Sequence, residues 1–194
     1  MRFEKLRRNN IIIFLRHAET KKDETIPVSR WILTKEGKQK SRKLIDTGIF
    51  DDVDVIVASK EIKAYQTLLP LAKRLNKKIK RLRKLGEINR DKGKVMSKEE
   101  YDKLKIRIFE DLDLSVEGWE TSRHALERFE KAINKLDSRY NNKKVIIASH
   151  GTVMTLFFAK RTNCMNELMK RWKNLKFLDY GIIKNNKVLK DIVH

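Results

Sequence analysis

An α/β fold, a three-layer αβα sandwich, is what this chain predicts: a mostly parallel sheet, helices on both faces and a C-terminal antiparallel hairpin strand. Three observations predict it. Short, β-branched apolar runs alternate with longer stretches of helical period along the 194 residues, the pattern of successive βαβ units. The strand-like runs, such as Ile11-Ile12-Ile13-Phe14-Leu15 and Val145-Ile146-Ile147-Ala148, are apolar throughout, as in strands covered on both faces. The last stretch reads instead as two strands turned by Asn185-Asn186.

Taken in order, Asn10 to Leu15 is the first buried strand. After a polar loop, Thr34 caps a helix that runs to about Thr47 and stops at Gly48. Val53 to Ala58 is the second strand. The helix behind it places Ala64, Leu68, Leu71, Ala72 and Leu75 on one face, and Pro70 is expected to kink or split it. Ile79 to Leu85 is a short strand. Ser97 and Glu100 form a capping box for a helix carrying Tyr101, Leu104 and Ile108. A helix from about Thr121 to Ser138 buries Leu126, Phe129, Ile133 and Leu136. Val145 to Ser149 is a strong strand, followed by helices at Thr152 to Arg161 and Asn166 to Trp172. The closing hairpin pairs Phe177 to Lys184 with Val188 to Val193. No repeat, linker or composition break interrupts this order. Residues 1–194 are therefore expected to form a single domain, with a lid-like excursion at about 89–116.

Composition excludes several classes. With 7 Gly and 2 Pro the chain is neither collagen-like nor of Pro/Gly-rich low complexity. The single cysteine, Cys164, excludes a disulfide scaffold, favours a reducing compartment and reads as a small apolar filler. The basic start, Met1 to Asn10, precedes an apolar run too short for a signal peptide. The longest uncharged stretch, Val145 to Ala159, is broken by Ser149-His150-Gly151 and falls short of the ~20 apolar residues of a membrane span. A soluble, cytoplasmic protein with no membrane partner is expected. The 46 basic and 26 acidic residues leave a net charge of +20, spread along the whole chain. Such a surface reflects a hot habitat or a biased genome, or attracts phosphates, nucleic acid or an anionic membrane surface, and by itself selects no partner.

In parallel α/β sheets ligands bind beyond the carboxyl ends of the strands. Here the first strand runs into Arg16-His17, the second into Ala58-Ser59 with Lys63 a turn later, and the third into His150-Gly151. If these strands are neighbours, two imidazoles and two cations converge. Each histidine alone fits a structural role; the pair, each following a strand and flanked by cations, does not read as accident. A zinc site needs three or four ligands, and Arg16 and Lys63 would repel a metal. The expected site binds an anion, with no metal or cofactor. The helix beginning near Thr152 would add its positive N-terminal end, and a phosphoryl group is the expected guest.

These residues resemble the histidine phosphatase superfamily, also called phosphoglycerate mutase-like. The family opens with a strand and Arg-His-Gly-Glu-Thr/Ser; here the run is Leu15-Arg16-His17-Ala18-Glu19-Thr20. Its Leu-Thr block with a following Gly matches Leu33-Thr34-Lys35-Glu36-Gly37. Its Ser-Ser-Pro-Leu-x-Arg-Ala-x-Gln-Thr block aligns with Ala58-Ser59-Lys60-Glu61-Ile62-Lys63-Ala64-Tyr65-Gln66-Thr67. Leu-x-Glu-Ile-Asn matches Leu85-Gly86-Glu87-Ile88-Asn89, and a Gly-Glu-Ser element with a downstream Arg is similar to Gly118-Trp119-Glu120-Thr121 with Arg128. The last block, strand-Ser-His-Gly, is Val145 to Gly151. Each match is weak alone; the ordered set spans nearly the whole chain.

The resemblance implies a metal-independent phosphatase that hydrolyses a small phosphomonoester through a phosphohistidine. His17 would attack phosphorus, kept neutral by Arg16 and Lys63. Arg16, Lys63 and His150 would hold the phosphoryl oxygens, and Glu87 is the general-acid position, with Asp91, Glu117 and Glu120 as rivals. Thr20, Gly151 and Thr152 are expected to touch phosphate, though each also suits a cap or turn. Glu120 and Arg128 read as a structural pair, His124 and His194 as solvated, and Trp31, Trp119 and Trp172 as packing aromatics.

Some residues depart from the family pattern. Lys63 replaces an Arg, turning a bidentate fork into a point charge. Asp23 stands where many members have a phosphate-binding Asn, and must be protonated or turned away. Ala18 and Asp91 replace glycines, and Lys92-Gly93-Lys94-Val95 replaces a Trp-Glu-Gly ending. Two alternatives follow. One is a cofactor-dependent phosphoglycerate mutase of the same family, disfavoured by the short, charged 89–116 segment. The other is a basic polyanion-binding protein with a weakened catalytic site, in which nucleic acid is the less favoured partner because no nucleic-acid motif or aromatic interleaving is present.

Overall fold

A computed structural model of the chain describes residues 9–91 and 96–193. The basic stretch Met1 to Arg8, the Lys92 to Val95 departure and His194 lie outside the described residues. In chain order the elements are β1 (Ile11–Arg16), α1 (Lys35–Asp46), β2 (Val55–Ser59), α2 (Ile62–Arg74), β3 (Ile79–Leu82), α3 (Lys98–Glu110), α4 (Ser122–Arg139), β4 (Lys144–Ser149), α5 (Gly151–Arg161), α6 (Leu168–Asn174), β5 (Tyr180–Lys184) and β6 (Lys187–Lys190).

The six strands form one sheet in the order β3-β2-β4-β1-β5-β6. The first four in that order are mutually parallel, and β5 and β6 add antiparallel at one edge. This is the expected α/β sandwich. Strand β4 lies between β2 and β1, with Arg16 opposite Ser149 and Ala58 opposite Ala148. The register thus brings Arg16-His17, Ser59 and His150 to the same level at one edge.

Because successive strand side chains point to opposite faces, a wholly apolar strand feeds two cores. Ile13, Leu15, Ile56, Ala58, Ile146 and Ala148 pack against Ile45 of α1 and Leu68 and Leu71 of α2. Ile12, Phe14, Val57, Val145 and Ile147 face the other way, onto Phe129 of α4 and Phe157 and Phe158 of α5. Each Val, Leu, Ile or Phe among them, when fully buried, contributes about 1.5–3 kcal/mol.

The caps follow the sequence. Thr34 Oγ1 accepts from the Gly37 amide at 2.8 Å. A Cβ at Gly37 would run into the backbone carbonyl of Glu19, so this glycine lets α1 close onto the loop behind β1. Ser97 and Glu100 form the reciprocal capping box. At Asn185 and Asn186 φ is 50° and 64°, the backbone a tight hairpin turn demands.

Pro70 does not split its helix: α2 continues from Ile62 to Arg74. Leu68, Leu71 and Ala72 are buried on either side of it, and that packing outweighs the ~3 kcal/mol cost of an internal proline. The short strand expected to reach Leu85 stops at Leu82, and residues Arg83–Leu85 coil into a 3-10 turn that leads toward Glu87. Phe177 and Leu178 lie before β5, in a loop where Leu178 has φ 66°. No helix among the described residues is long and apolar enough to cross a membrane.

Candidate active site

His17 leaves β1 with its amide hydrogen-bonded to the Ser149 carbonyl of the neighbouring strand at 3.0 Å. Its ring is 7% exposed and its centroid lies 5.1 Å from that of His150. The two imidazoles therefore meet, as the strand ends predict. His17 Nδ1 is 2.7 Å from the Ala18 carbonyl, which can only accept. Nδ1 therefore holds the proton, and Nε2 presents a lone pair. Burial pushes the pKa of His17 well below its ordinary value, aided by His150, Lys63 and Arg16, while the Ala18 bond works against them. The ring is neutral, the state a nucleophile needs.

His150 is fully buried. Its Nε2 is 2.7 Å from Ser59 Oγ, which also accepts from the Glu61 amide. Its Nδ1 is buried with no partner among the described residues. Burial, then Lys63, keeps His150 uncharged. Arg16 donates through Nη1 to the Leu175 carbonyl and lies 4.5 Å above the Phe177 ring, while its Nε is likewise buried without a partner.

Lys63 lines the same cavity, but its ammonium is not an open phosphate ligand. It donates to the Val28 carbonyl at 2.8 Å and to the Glu61 carboxylate. Glu61 was not among the expected site residues. It stands at the Leu position of the family block, the one acidic side chain in that segment, and that change is the signal for it. Its Oε1 accepts from the Glu87 amide at 2.7 Å and lies 3.3 Å from His150 Nε2. Burial raises its pKa, against the pull of Lys63.

Glu87 lines the cavity and is held from behind. Its carboxylate accepts from the amides of Thr152 at 2.9 Å, Val153 at 3.2 Å and Ile88 at 3.0 Å. The first turn of α5 was expected to offer those N–H groups to phosphate; Glu87 occupies them. Thr152 accordingly sits behind Glu87, with its hydroxyl accepting from Lys105 at 2.8 Å. Lys105, 1% exposed, also escaped the sequence reading. Its position one helical turn after Tyr101 and just before Ile108 puts it on the buried face of α3, which is the signal that could have found it. Burial alone would raise the pKa of Glu87, but Lys105 and the Thr152 and Ile88 amides hold it at about 2.

The rival carboxylates are engaged elsewhere or outside the site. Asp91 accepts from the Ser29 amide and hydroxyl, Glu117 is exposed, and Glu120 pairs with Arg128. Arg128 also donates to the carbonyls of Lys84, Gly86 and Glu87, so the structural pair clamps the segment that carries Glu87. Asp23 lines the cavity, and its Oδ1 accepts from the Thr25 amide and hydroxyl, which keeps its pKa low, so it is ionised rather than protonated. Thr20 bridges to Leu33 and, with Gly151, lines the cavity. His124 is exposed and bonds to Glu120.

The three tryptophans go beyond packing. Trp31, Trp119 and Trp172 all face the cavity, which has a volume of about 700 Å³. They come from three distant segments with no shared period, so spacing gave no hint of their meeting.

A model of the histidine phosphatase superfamily (branch 1) matches residues 12–184. No curated protein matches the chain. Among solved structures, a mycobacterial glucosyl-3-phosphoglycerate phosphatase superposes with a TM-score of 0.77 at 13% identity, over 95% of this chain and 99% of that one. YhfR of Bacillus stearothermophilus gives 0.76 at 17% identity, over 93% and 95%. A phosphoserine phosphatase from Entamoeba histolytica, in complex with phosphoserine, gives 0.69 at 17% identity, over 89% of each chain. At these identities the superpositions establish the fold, and the family model, matched from the first core strand to the end of β5, establishes descent: the chain belongs to branch 1 of the histidine phosphatase superfamily.

Proposed function

We propose that the protein is a metal-independent phosphatase that hydrolyses a small phosphomonoester through a phosphohistidine on His17. One observation carries this reading: two buried nitrogens, the Arg16 Nε–H and His150 Nδ1, have no partner among the described residues and flank a neutral imidazole that presents a lone pair. An unpaired buried donor costs about 1–3 kcal/mol, which a bound phosphoryl group would offset. Family membership and the phosphatase activities named for two of the structural relatives support the same class of reaction.

In this mechanism His17 Nε2 attacks phosphorus while the bond to the alcohol oxygen breaks. Arg16 and His150 take the phosphoryl oxygens, with Lys63, Thr20 and Gly151 at the rim. Removal of one such donor typically costs ~10²–10³ in rate. Glu87 starts as a carboxylate. The monoanionic substrate brings its own proton, the phosphate charge raises the proton affinity of Glu87, and the proton passes through it to the leaving oxygen. Water then attacks phosphorus as Glu87 takes its proton, the P–N bond breaks to restore neutral His17, and Glu87 hands that proton to the departing phosphate and returns to the carboxylate. We read residues 1–194 as one unit, with the 89–116 excursion as a lid.

Turnover of a generic aryl phosphate, measured with a chelator present, tests the proposal. The wild type is expected to retain activity under chelation and to release phosphate without isomerising 3-phosphoglycerate, and His17→Ala to lose activity by at least about 10³-fold. Retained turnover in His17→Ala contradicts it.

A further inference from the structure

Beyond its phosphate end, the cavity is walled by Trp31, Tyr101, Trp119, Trp172 and Phe177. A phosphoryl group fills only a small part of about 700 Å³, so the remainder shapes the leaving alcohol. The wall is layered. Ring centroids of Tyr101 and Trp119 are 5.6 Å apart, and those of Tyr101 and Trp172 are 5.9 Å apart. Behind them the buried Lys105 ammonium lies 5.0 Å from Tyr101, 5.6 Å from Trp119 and 5.5 Å from Trp172. The Arg90 guanidinium is 4.6 Å from Tyr101 and 5.6 Å from Trp119.

An aromatic box ordinarily suits a cationic ligand. This one already holds Lys105, and Arg90 lies over two of the same rings. A second cation, such as the ammonium of a choline or amine phosphate, would meet repulsion from both, and carboxylates of the lining are already engaged, Asp102 by Lys98, Asp91 by Ser29 and Asp23 by Thr25. A small polyol or hydroxy acid would leave the rings in contact with water. A planar, electron-rich ring satisfies both constraints: it stacks on the aromatic faces and is attracted by the cations that polarise them.

Resting on the phosphatase reading above, we propose that the substrates are phosphomonoesters whose alcohol carries a flat heteroaromatic ring, of which nucleoside 5′-monophosphates are the probe class. Adenosine 5′-monophosphate and ribose 5-phosphate share the same primary leaving oxygen and differ in the base, so their comparison isolates the ring. The expected kcat/KM ratio is about ten- to a hundredfold in favour of the nucleotide, the range of base–aromatic stacking. Trp172→Ala should erase most of that ratio, lowering kcat/KM for the nucleotide far more than for ribose 5-phosphate. Trp172→Leu, which keeps bulk on the core side, should do the same if the alanine variant is unstable. Equal kcat/KM for the two esters, or a preference for phosphocholine, overturns the proposal. Calorimetric titration of His17→Ala with each ester separates this failure from failure of the phosphatase reading. Tighter binding of the nucleotide by about tenfold or more upholds the ring site even if no ester is turned over, and equal binding overturns it.

Discussion

Glu61 is the residue whose chemistry departs furthest from its family position. A carboxylate beside Lys63 removes one cation from an anion site, and at an effective dielectric of about 20 such a pair is worth a few kcal/mol. Glu61→Gln keeps an oxygen acceptor for the Glu87 amide and removes the charge. It should raise kcat/KM at neutral pH by roughly tenfold. Because burial raises the pKa of Glu61, acidification neutralises it early and releases the Lys63 ammonium. The wild type should therefore gain activity as pH falls through that raised value, and Glu61→Gln should lack the gain. A pH–rate profile of both proteins checks this. Lys105 acts in the opposite sense, as a positioning residue for Glu87. Glu87, held at about 2 and so below the ordinary carboxylate value of 4.5, contributes stability that is present above that ordinary value and lost as pH falls toward 2. In Lys105→Met the acid loss of both activity and thermal stability should begin at a higher pH. An unchanged acid limb would exclude Lys105 from that role.

At the scale of elements, the site depends on segments clamped to one another. Arg128 of α4 holds Glu120 and three carbonyls of the turn that ends in Glu87. Arg128→Ala should lower kcat by about tenfold or more, as expected when a positioned proton-transfer group loosens. Its aryl phosphate KM should stay near wild type, since Arg16 and His150 are untouched. Steady-state kinetics with a thermal melt separates this from a global loss of stability. Much of this level was legible in the sequence. Wholly apolar strands, the Thr34 and Ser97 caps and the Asn185-Asn186 turn are local features, and each formed where the residues called for it. Pro70 does not split its helix because tertiary packing, not local propensity, decides whether a buried helix survives a proline. The end of β3 was misjudged because nothing in Arg83-Lys84-Leu85 marks the exchange of sheet for turn.

At the scale of the molecule, β4 between β2 and β1 unites both histidines, and motif order was enough to anticipate that meeting. Long-range partners were not legible. Glu61 on His150, Lys105 behind Glu87 and the tryptophans around one cavity join segments tens of residues apart, with no period between them. The excess of 20 positive charges adds a diffuse field that draws phosphates in, while the paired Lys63 restrains it at the centre. The account rests most on covalent chemistry at His17, and the direct measurement is to quench the enzyme with alkali during turnover and map the phosphoryl adduct. An acid-labile, alkali-stable phosphate on residue 17, absent from His17→Ala, is the predicted result. An adduct mapped to another side chain, or full turnover with none formed, would contradict it.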